Sequence, residues 1–327
     1  VKSAGLILSL IALAVALICS IAFGVTDIPI RSVWESFIRN NGSNEHLVIR
    51  TARVPRALIA AAVGACLAVA GAVMQVVARN PIASPSTLGV NSGASFFIVV
   101  AAGWFGVSGM AAFTWIAMLG AAFSGGLVFL LGSVGRDGMS PVKITLAGAS
   151  MTAFFYSMTQ GFMLSDGKMF DQVLVWLVGS VAGRELSQLA SVWPYMATGM
   201  LIALLLSRHL NLLMMGDDIS RGLGQRIMLV KLIAAAAVIL LAGASVAAAG
   251  PIAFVGIIIP HIVRHLVGND HRWILPYSAV LGALLLVAAD LGSRYIAMPK
   301  EVPVGVMTAI IGVPFFAYIA RKGGRAR

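Results

Sequence analysis

Apolar runs long enough to cross a bilayer follow one another about ten times along this chain, with most of the charges between them. A spanning helix needs roughly 20 mainly apolar residues, because each residue rises ~1.5 Å through a hydrocarbon layer ~30 Å thick. Such runs lie at about residues 4–23, 54–77, 88–103, 110–131 and 141–164. They continue at 189–206, 228–249, 252–263, 276–297 and 303–320, the eighth being short for a full crossing. Lipid offers no hydrogen bonds, so each run must satisfy its own backbone as a helix. The expectation is an all-α membrane protein of about ten transmembrane helices. It forms a single transmembrane domain over 1-327 with no separable soluble unit.

Composition agrees: 59% of residues are hydrophobic and 11% charged, and a water-soluble domain could not hide that much apolar surface. The 35 glycines let helices approach closely where lipid gives no hydrophobic drive. A net charge of +11 would suit a nucleic-acid binder, but its distribution does not. With the N-terminus inside, the inner segments are 1–3, 78–87, 132–143, 207–231, 264–275 and 321–327, and they hold 14 Lys/Arg against 4 Asp. The rest of the chain holds 9 Lys/Arg and 8 Asp/Glu. This is the positive-inside bias of a membrane protein with both termini cytoplasmic and no nucleic-acid partner. The first run lacks a small-residue cleavage site and reads as a retained helix. Cys19 and Cys66 fall within spans, where a thiol serves as a small apolar group.

One internal echo stands out. Gly64-Ala-Cys-Leu-Ala-Val-Ala-Gly71 and Gly243-Ala-Ser-Val-Ala-Ala-Ala-Gly250 agree at five of eight positions, in spans two and seven. Those spans run in opposite directions, as an inverted repeat requires, although Gly/Ala-rich helices also resemble one another by chance. Pro and Gly concentrate at two places read as inner helix ends. These are Arg79-Asn-Pro-Ile-Ala-Ser-Pro85 and Gly250-Pro-Ile-Ala-Phe-Val-Gly256 before Pro260-His261. Broken helices at membrane depth line cavities or hinges.

The inner segment Met215-Gly-Asp-Asp-Ile-Ser-Arg-Gly-Leu-Gly224 has the punctuation of a short helix: Gly216 before it, Asp217 and Asp218 at its positive end, Gly222 and Gly224 after it. Such a helix would present Ile219, Arg221 and Leu223 to a partner; an ordinary polar loop fits equally. Outside, Arg50, Arg53 and Arg56 precede span two and Arg294 ends span nine. They suit pairing with carboxylates of a docking protein, with interfacial snorkelling as the competitor for Arg56. Asp290 is the one acid within a span and stands four residues before Arg294, which favours a structural ion pair. His261, His265 and His271 cluster without a carboxylate or thiol, so no metal site is expected. There is no GxxxxGK[ST] loop, and no nucleophile–base or paired-carboxylate arrangement can be assembled, so an enzyme is not expected.

Taken together these motifs closely resemble the FecCD-type permease family, the membrane subunits of ABC importers for iron-siderophores, haem and cobalamin. The resemblance rests on Arg53-Val-Pro-Arg-Ala57, residues 64–71, Arg79 to Pro85 and Leu88-Gly-Val-Asn-Ser-Gly-Ala94. It continues through Leu146-Ala-Gly-Ala149, residues 216–224, Gly250 to Gly256 with Pro260-His261, and residues 302–314, and so covers essentially the whole chain.

The resemblance implies a type II ABC importer permease fold with an inverted repeat, in a bacterial cytoplasmic membrane. The implied partners are a second permease subunit, identical or homologous, two ATP-binding subunits and an extracytoplasmic binding protein. No cofactor is implied in this chain, since ATP and Mg belong to the partner ATPases. Residues 216–224 correspond to the segment that couples to the ATPase, and Arg53, Arg56 and Arg294 to positions that salt-bridge the binding protein. Asn80 to Ile82 and Met139, Ser140 and Pro141 correspond to a cytoplasmic gate. Ser220 and Gly222 depart from the family's usual alanine and bulkier polar residue, which implies a tuned ATPase pairing. The expected cargo is a ferric siderophore, with haem or cobalamin as the alternative and an ion-gradient-driven carrier as the different-class alternative.

Overall fold

The apolar runs become long helices in the order the hydropathy pattern sets out. The computed structural model describes residues 2–24, 28–38, 42–134, 140–165, 174, 176–298 and 300–323. α1 (Lys2–Ala22) is followed by the short helices α2 (Ile30–Ile38) and α3 (Asn44–Val48). A π-helical turn, Ile49–Arg53, runs without a break into α4 (Val54–Val77). α5 (Val90–Phe105), α6 (Met110–Ser133) and α7 (Pro141–Ser165) complete the first half. The second half begins with α8 (Leu186–Leu205) and the short helices α9 (Ser207–Met214) and α10 (Asp217–Gly222). It ends with α11 (Ile227–Ala249), α12 (Val255–Val267), α13 (His271–Ile296) and α14 (Val304–Gly323).

Among the described residues six helical stretches are long and apolar enough to cross a membrane unaided: α1, the continuous α3–α4 unit, α6, α8, α11 and α13. α5, α12 and the apolar part of α14 are shorter. α7 has the length, 25 residues, but interrupts its apolar positions with Thr, Ser, Tyr and Gln. Every one of the ten expected runs is helical. The outer stretch 24–53, read from sequence only as polar, carries α2 and α3 as well.

Local chemistry sets the helix ends. Pro141 opens α7, where a missing N–H costs nothing, and Pro55 lies where the π-helical turn passes into α4. Asp270 caps α13 through the Arg272 N–H at 3.0 Å and receives Asn211 of α9 at 2.7 Å. The Asn211 bond, with the Arg272 N–H, holds the Asp270 carboxyl below the ordinary carboxylate range. Gly250 ends α11 at φ +76, with the Trp176 carbonyl so close that no side chain fits.

α4 is the axle. It packs along α13, α11, α12 and α8, and from Val63 to Val77 all but Ala65 is buried or nearly so. Its closest approaches are made by glycine: Gly64 lies on Gly282 of α13, and Gly71 on Gly256 of α12. Gly243, the counterpart of Gly64 in the internal echo, crosses α6 at Ala121, where an added Cβ would stand 3.4 Å from the Ala121 Cβ. Equivalent glycines thus mark equivalent crossings, α4 on α13 and α11 on α6, which is what an inverted repeat predicts.

The two Pro/Gly clusters, both read as inner helix ends, lie at opposite ends of the bundle. Arg79, just past α4, reaches Asp217 beside the start of α11, whereas Gly250 lies at the far end of α11 against Gly179. α4 and α11 run in opposite directions, so their C-terminal ends occupy opposite faces of the layer.

A Cβ on Gly64 would collide with the Gly282 backbone, which cannot move without unseating α13. Gly64→Val is therefore expected to cost about 1–3 kcal/mol of stability. Gly126→Ala, at a glycine with open space around it, is expected to leave stability unchanged. Thermal denaturation of both variants in detergent checks the pair.

Candidate functional site

Three polar zones occupy an otherwise apolar molecule: an ionic network at one end, a polar wall along α5 and α7, and a short-helix foot at the other end.

At the first end, α1, α4 and α13 meet through arginine. Arg56 of α4 grips Asp290 of α13 with Nε at 2.9 and 3.0 Å and Nη2 at 2.9 Å, and its Nη1 reaches Glu301 at 2.6 Å. Arg294 Nη2 holds the same Asp290 at 2.7 Å, the local pair expected from their spacing. Arg294 then donates to the Ser20 carbonyl at 2.7 Å, the Phe23 carbonyl at 2.9 Å and the Ser20 hydroxyl at 2.9 Å. Arg53 donates to the carbonyls of Ile21 and Ala22 at 2.9 and 2.6 Å. The last carbonyls of a helix have no partners within it and sit at its negative pole, so two guanidinium groups form a C-terminal cap for α1.

Arg53 and Arg294 are 7% and 2% exposed, and these bonds turn both toward α1 in this conformation. Arg56 is no snorkelling residue, since its Asp290 partner is 1% exposed. Its contact with Glu301, whose side chain is 34% exposed, lies at the surface.

Along α5 and α7 runs a mainly apolar wall set with neutral polar groups. A cavity of about 510 Å³ is lined by Asn80, Ile82, Thr87, Thr145, Thr152 and Tyr156 among others. A second, of about 570 Å³, shares Thr152 and Tyr156 and adds Asn91, Ser92, Ser95 and Gln160. Neither is lined by a charged residue. Both open to one side, where α7 leaves Leu146, Phe154 and Tyr156 more than half exposed. A larger groove of about 800 Å³, between α1, α4, α8 and α13, has the apolar lining of an acyl-chain surface, including Leu58, Trp193 and Leu201. It offers nothing to a polar solute.

The polar wall was missed in the sequence reading. Its signal was the lower hydropathy of α7, whose Thr, Tyr and Gln fall at helical spacing on one face. Of the gate candidates, Asn80 and Ile82 line the lower cavity, while Ser140 and Pro141 do not. Ser140 instead caps α7, accepting from the Lys143 N–H at 3.3 Å. Met139 lies outside the described residues.

At the foot, the short helix forms as its punctuation suggests. Gly216 enters at φ +112, and α10 follows with Ile219 and Leu223 51% and 62% exposed. Asp218 and Arg221 are exposed too, as are Gly222 and Gly224. Ser220 is fully buried, however, and bonds the carbonyls of Leu212 and Gly216 at 2.7 Å each. Its hydroxyl ties α10 to α9. Asp217 binds Arg79 at 2.6 Å and Lys231 at 3.3 Å. Lys231 stands near the start of an apolar run, where a charge is itself a signal.

The rings of His261 and His265 lie 4.8 Å apart, tilted by 45°, while His271 is held by Asn211. Arg184, also missed, is buried and donates to the Ser180 carbonyl at 3.2 Å and the Met110 sulfur at 2.8 Å. Loss of hydration pulls its guanidinium down to about 10.

Asp290→Ala would leave two buried guanidinium groups without their carboxylate, at an expected cost of about 3–5 kcal/mol. Glu301→Gln removes only a rim partner and is expected to cost no more than about 1 kcal/mol. Unfolding midpoints of the two variants in detergent read out the contrast.

The profile of the FecCD transport family matches residues 12–322. The chain is 52% identical over 313 residues to the "Probable siderophore transport system permease protein YfiZ" of Bacillus subtilis (strain 168), covering 96% of this chain and 94% of that one. It is 39% identical to the ferric enterobactin transport system permease protein FepD of Escherichia coli (strain K12), over 97% of this chain and 94% of the relative. A solved structure, "An inward-facing conformation of a putative metal-chelate type ABC transporter", superposes with a TM-score of 0.85 at 27% identity. That match covers 98% of this chain and all of the other. With the profile running over almost its whole length, on a fold whose repeat and crossings agree, this chain belongs to the FecCD transport family.

Proposed function

We propose that this chain is the membrane permease subunit of an ATP-driven importer that carries ferric chelates, iron-siderophores foremost, by alternating access. The observation that carries this is the uncharged polar wall of α5 and α7, which ends at the Asn80–Ile82 loop beside the foot that holds α10. A chelate brings its iron with the coordination shell already filled. Hydroxyl and amide groups solvate such a complex without competing for the metal, whereas thiolates or carboxylates would retain it. The relatives named for siderophore and ferric enterobactin transport support the same cargo class.

The wall is one-sided, so a second permease subunit, identical or homologous, closes the pathway. α10 is the docking element for an ATPase subunit, through exposed Ile219 and Leu223 with Asp218, Arg221, Gly222 and Gly224 around them. ATP and Mg reside on two such partners, and closure of the pair shifts the populations of outward- and inward-open states. At the opposite end a binding protein delivers cargo. Its carboxylate replaces Glu301 on Arg56, while Arg53 and Arg294 hold the end of α1 beneath the contact. The membrane is the bacterial cytoplasmic membrane, with both termini and α10 on the cytoplasmic side, the side with the basic excess.

The test is ATP hydrolysis by the complex in vesicles, with its binding protein presenting ferric hydroxamate, citrate or catecholate, haem, or cobalamin. Stimulation by one ferric chelate is the expected result. Stimulation by haem or cobalamin alone would keep the mechanism and replace the cargo. Uptake that persists without ATPase subunits and follows an ion gradient would overturn the reading. Ile219→Asp with Leu223→Asp is expected to abolish ATPase association in pull-downs while leaving the permease folded, since both side chains are exposed.

A further inference from the structure

We propose that the apolar groove between α1, α4, α8 and α13 seats an acyl chain of an anionic phospholipid whose headgroup lies on Lys2, Arg208 and Arg272. The groove is separate from both polar cavities, so the inference does not depend on the identity of the cargo.

The packing of the helices makes the groove. α1 lies on α13 and α8 lies on α11 and α4, so α1 and α8 stand as two banks with α4 and α13 between them. The floor is small, with Ala62 and Ala65 of α4 and Ala279 and Ala283 of α13. The banks are large, with Leu13 on one side and Trp193 and Leu204 on the other, and no charged residue lines the space of about 800 Å³. Along α8 the lining runs from Leu189 to Leu204. That is about 22 Å at ~1.5 Å per residue, more than the ~15 Å depth of one hydrocarbon leaflet.

Helical spacing carries each lining stripe to a cation at the same end. On α1, Leu13 lies about three turns from Lys2, and on α13, Ala279 and Ala283 lie about two and three turns from Arg272. On α8, Leu204 is followed at i+4 by Arg208 in α9, through Leu206, which keeps the right-handed conformation. Tertiary bonds then gather the three. The Tyr277 hydroxyl of α13 donates to the Lys2 carbonyl. Asn211, one turn after Arg208, donates to Asp270 at 2.7 Å and accepts the His271 N–H at 2.8 Å, next to Arg272. Lys2, Arg208 and Arg272 are all exposed. The acid beside them, Asp270, already accepts from the Asn211 amide and the Arg272 N–H, and three cations against one carboxylate leave this end positive.

A groove that is apolar along its length and positive at one end fits a molecule that is apolar along its length and negative at its tip. A second copy of this chain seated here about a two-fold axis would set like charges together. A lipid with a neutral headgroup would gain nothing from the cations. Basic residues at the cytoplasmic ends of spanning helices draw anionic headgroups, and this end carries α9 and α10, cytoplasmic in the proposed topology. α1 is the least buried of the six spanning stretches, so a chain lying between it and α8 adds to its packing.

The experiment is native mass spectrometry of the whole transporter complex in detergent, titrated with phosphatidylglycerol or with phosphatidylcholine. Phosphatidylglycerol is expected to bind the more tightly. Arg208→Ala with Arg272→Ala is expected to weaken it about fivefold per cation removed, the worth of one basic residue at an anionic surface, and to leave phosphatidylcholine unchanged. Ala197→Trp, at an exposed small residue of the groove, is expected to weaken both lipids. Thermal denaturation shows that the double variant is folded, since it is expected to melt with wild type in phosphatidylcholine and to lose the gain that phosphatidylglycerol gives wild type. Equal binding of the two lipids to wild type would overturn the site, as would phosphatidylglycerol binding unchanged in the double variant. Displacement of the lipid by inorganic phosphate at equal concentration would leave an anion site without an acyl-chain seat. Loss of subunit association in Ala197→Trp would make the groove a protein interface, and either result overturns the proposal.

Discussion

A charge removed from water has to find its counter-charge and hydrogen bonds inside the protein, and in this chain that demand ties distant segments together. Asp290 is 1% exposed and accepts four bonds from two guanidinium groups, one on its own helix and one 234 residues away. The same arginine pair would be destabilising if the acid were missing, because a buried cation without a partner costs several kcal/mol. Arg294 and Arg53 donate further to the carbonyls that end α1, and Arg56 to Glu301. One carboxylate thus fixes where α1, α4 and α13 end relative to one another. At the other end of the layer Asp217 plays the corresponding part for α4, α10 and α11.

Between these two ionic ends the helices meet through absence of side chains. Lipid competes with helix contacts on equal apolar terms, so close van der Waals approach decides which helices pair. Gly64 on Gly282 and Gly71 on Gly256 bring α4 against α13 and α12 with backbones touching. Gly243 on Ala121 repeats the first of these in the second half, less tightly. The looser crossing follows from the partner being alanine. Such contacts are rigid against compression but have no interlocking side chains, so neighbouring helices can slide as units, which suits a cycle of alternating states.

The spans were legible because their signal is local: 20 apolar residues in a row need no knowledge of the partner. The Asp290–Arg294 pair was legible for the same reason, being one helical turn apart. What sequence alone could not reveal was long-range partnership. Arg56 looked exposed until Asp290 and Glu301 came to it from the far end of the chain. Arg53 and Arg294 looked like outward-facing cations because nothing in their neighbourhood announces the carbonyls of α1. Misplacement of the Gly250 cluster came from reading helix punctuation without counting which way α11 runs. The polar wall was hidden differently. Its residues are single Thr, Ser, Tyr and Gln among apolar neighbours, and only the fold shows them sharing a face.

Where the interior charges lie also bears on the source of energy. A carrier driven by protons or sodium needs an acid or a polar cage that changes partners during each cycle, placed on the route of the cargo. Asp290 is saturated by two arginines, and it belongs to the ionic end and not to either polar cavity. The cavity walls carry hydroxyls and amides that can neither store charge nor report its arrival. With no such group lining the route among the described residues, the work of switching has to enter from outside the chain. In the proposed reading it enters at the foot, with its exposed Ile219 and Leu223 and its ion-paired Asp217.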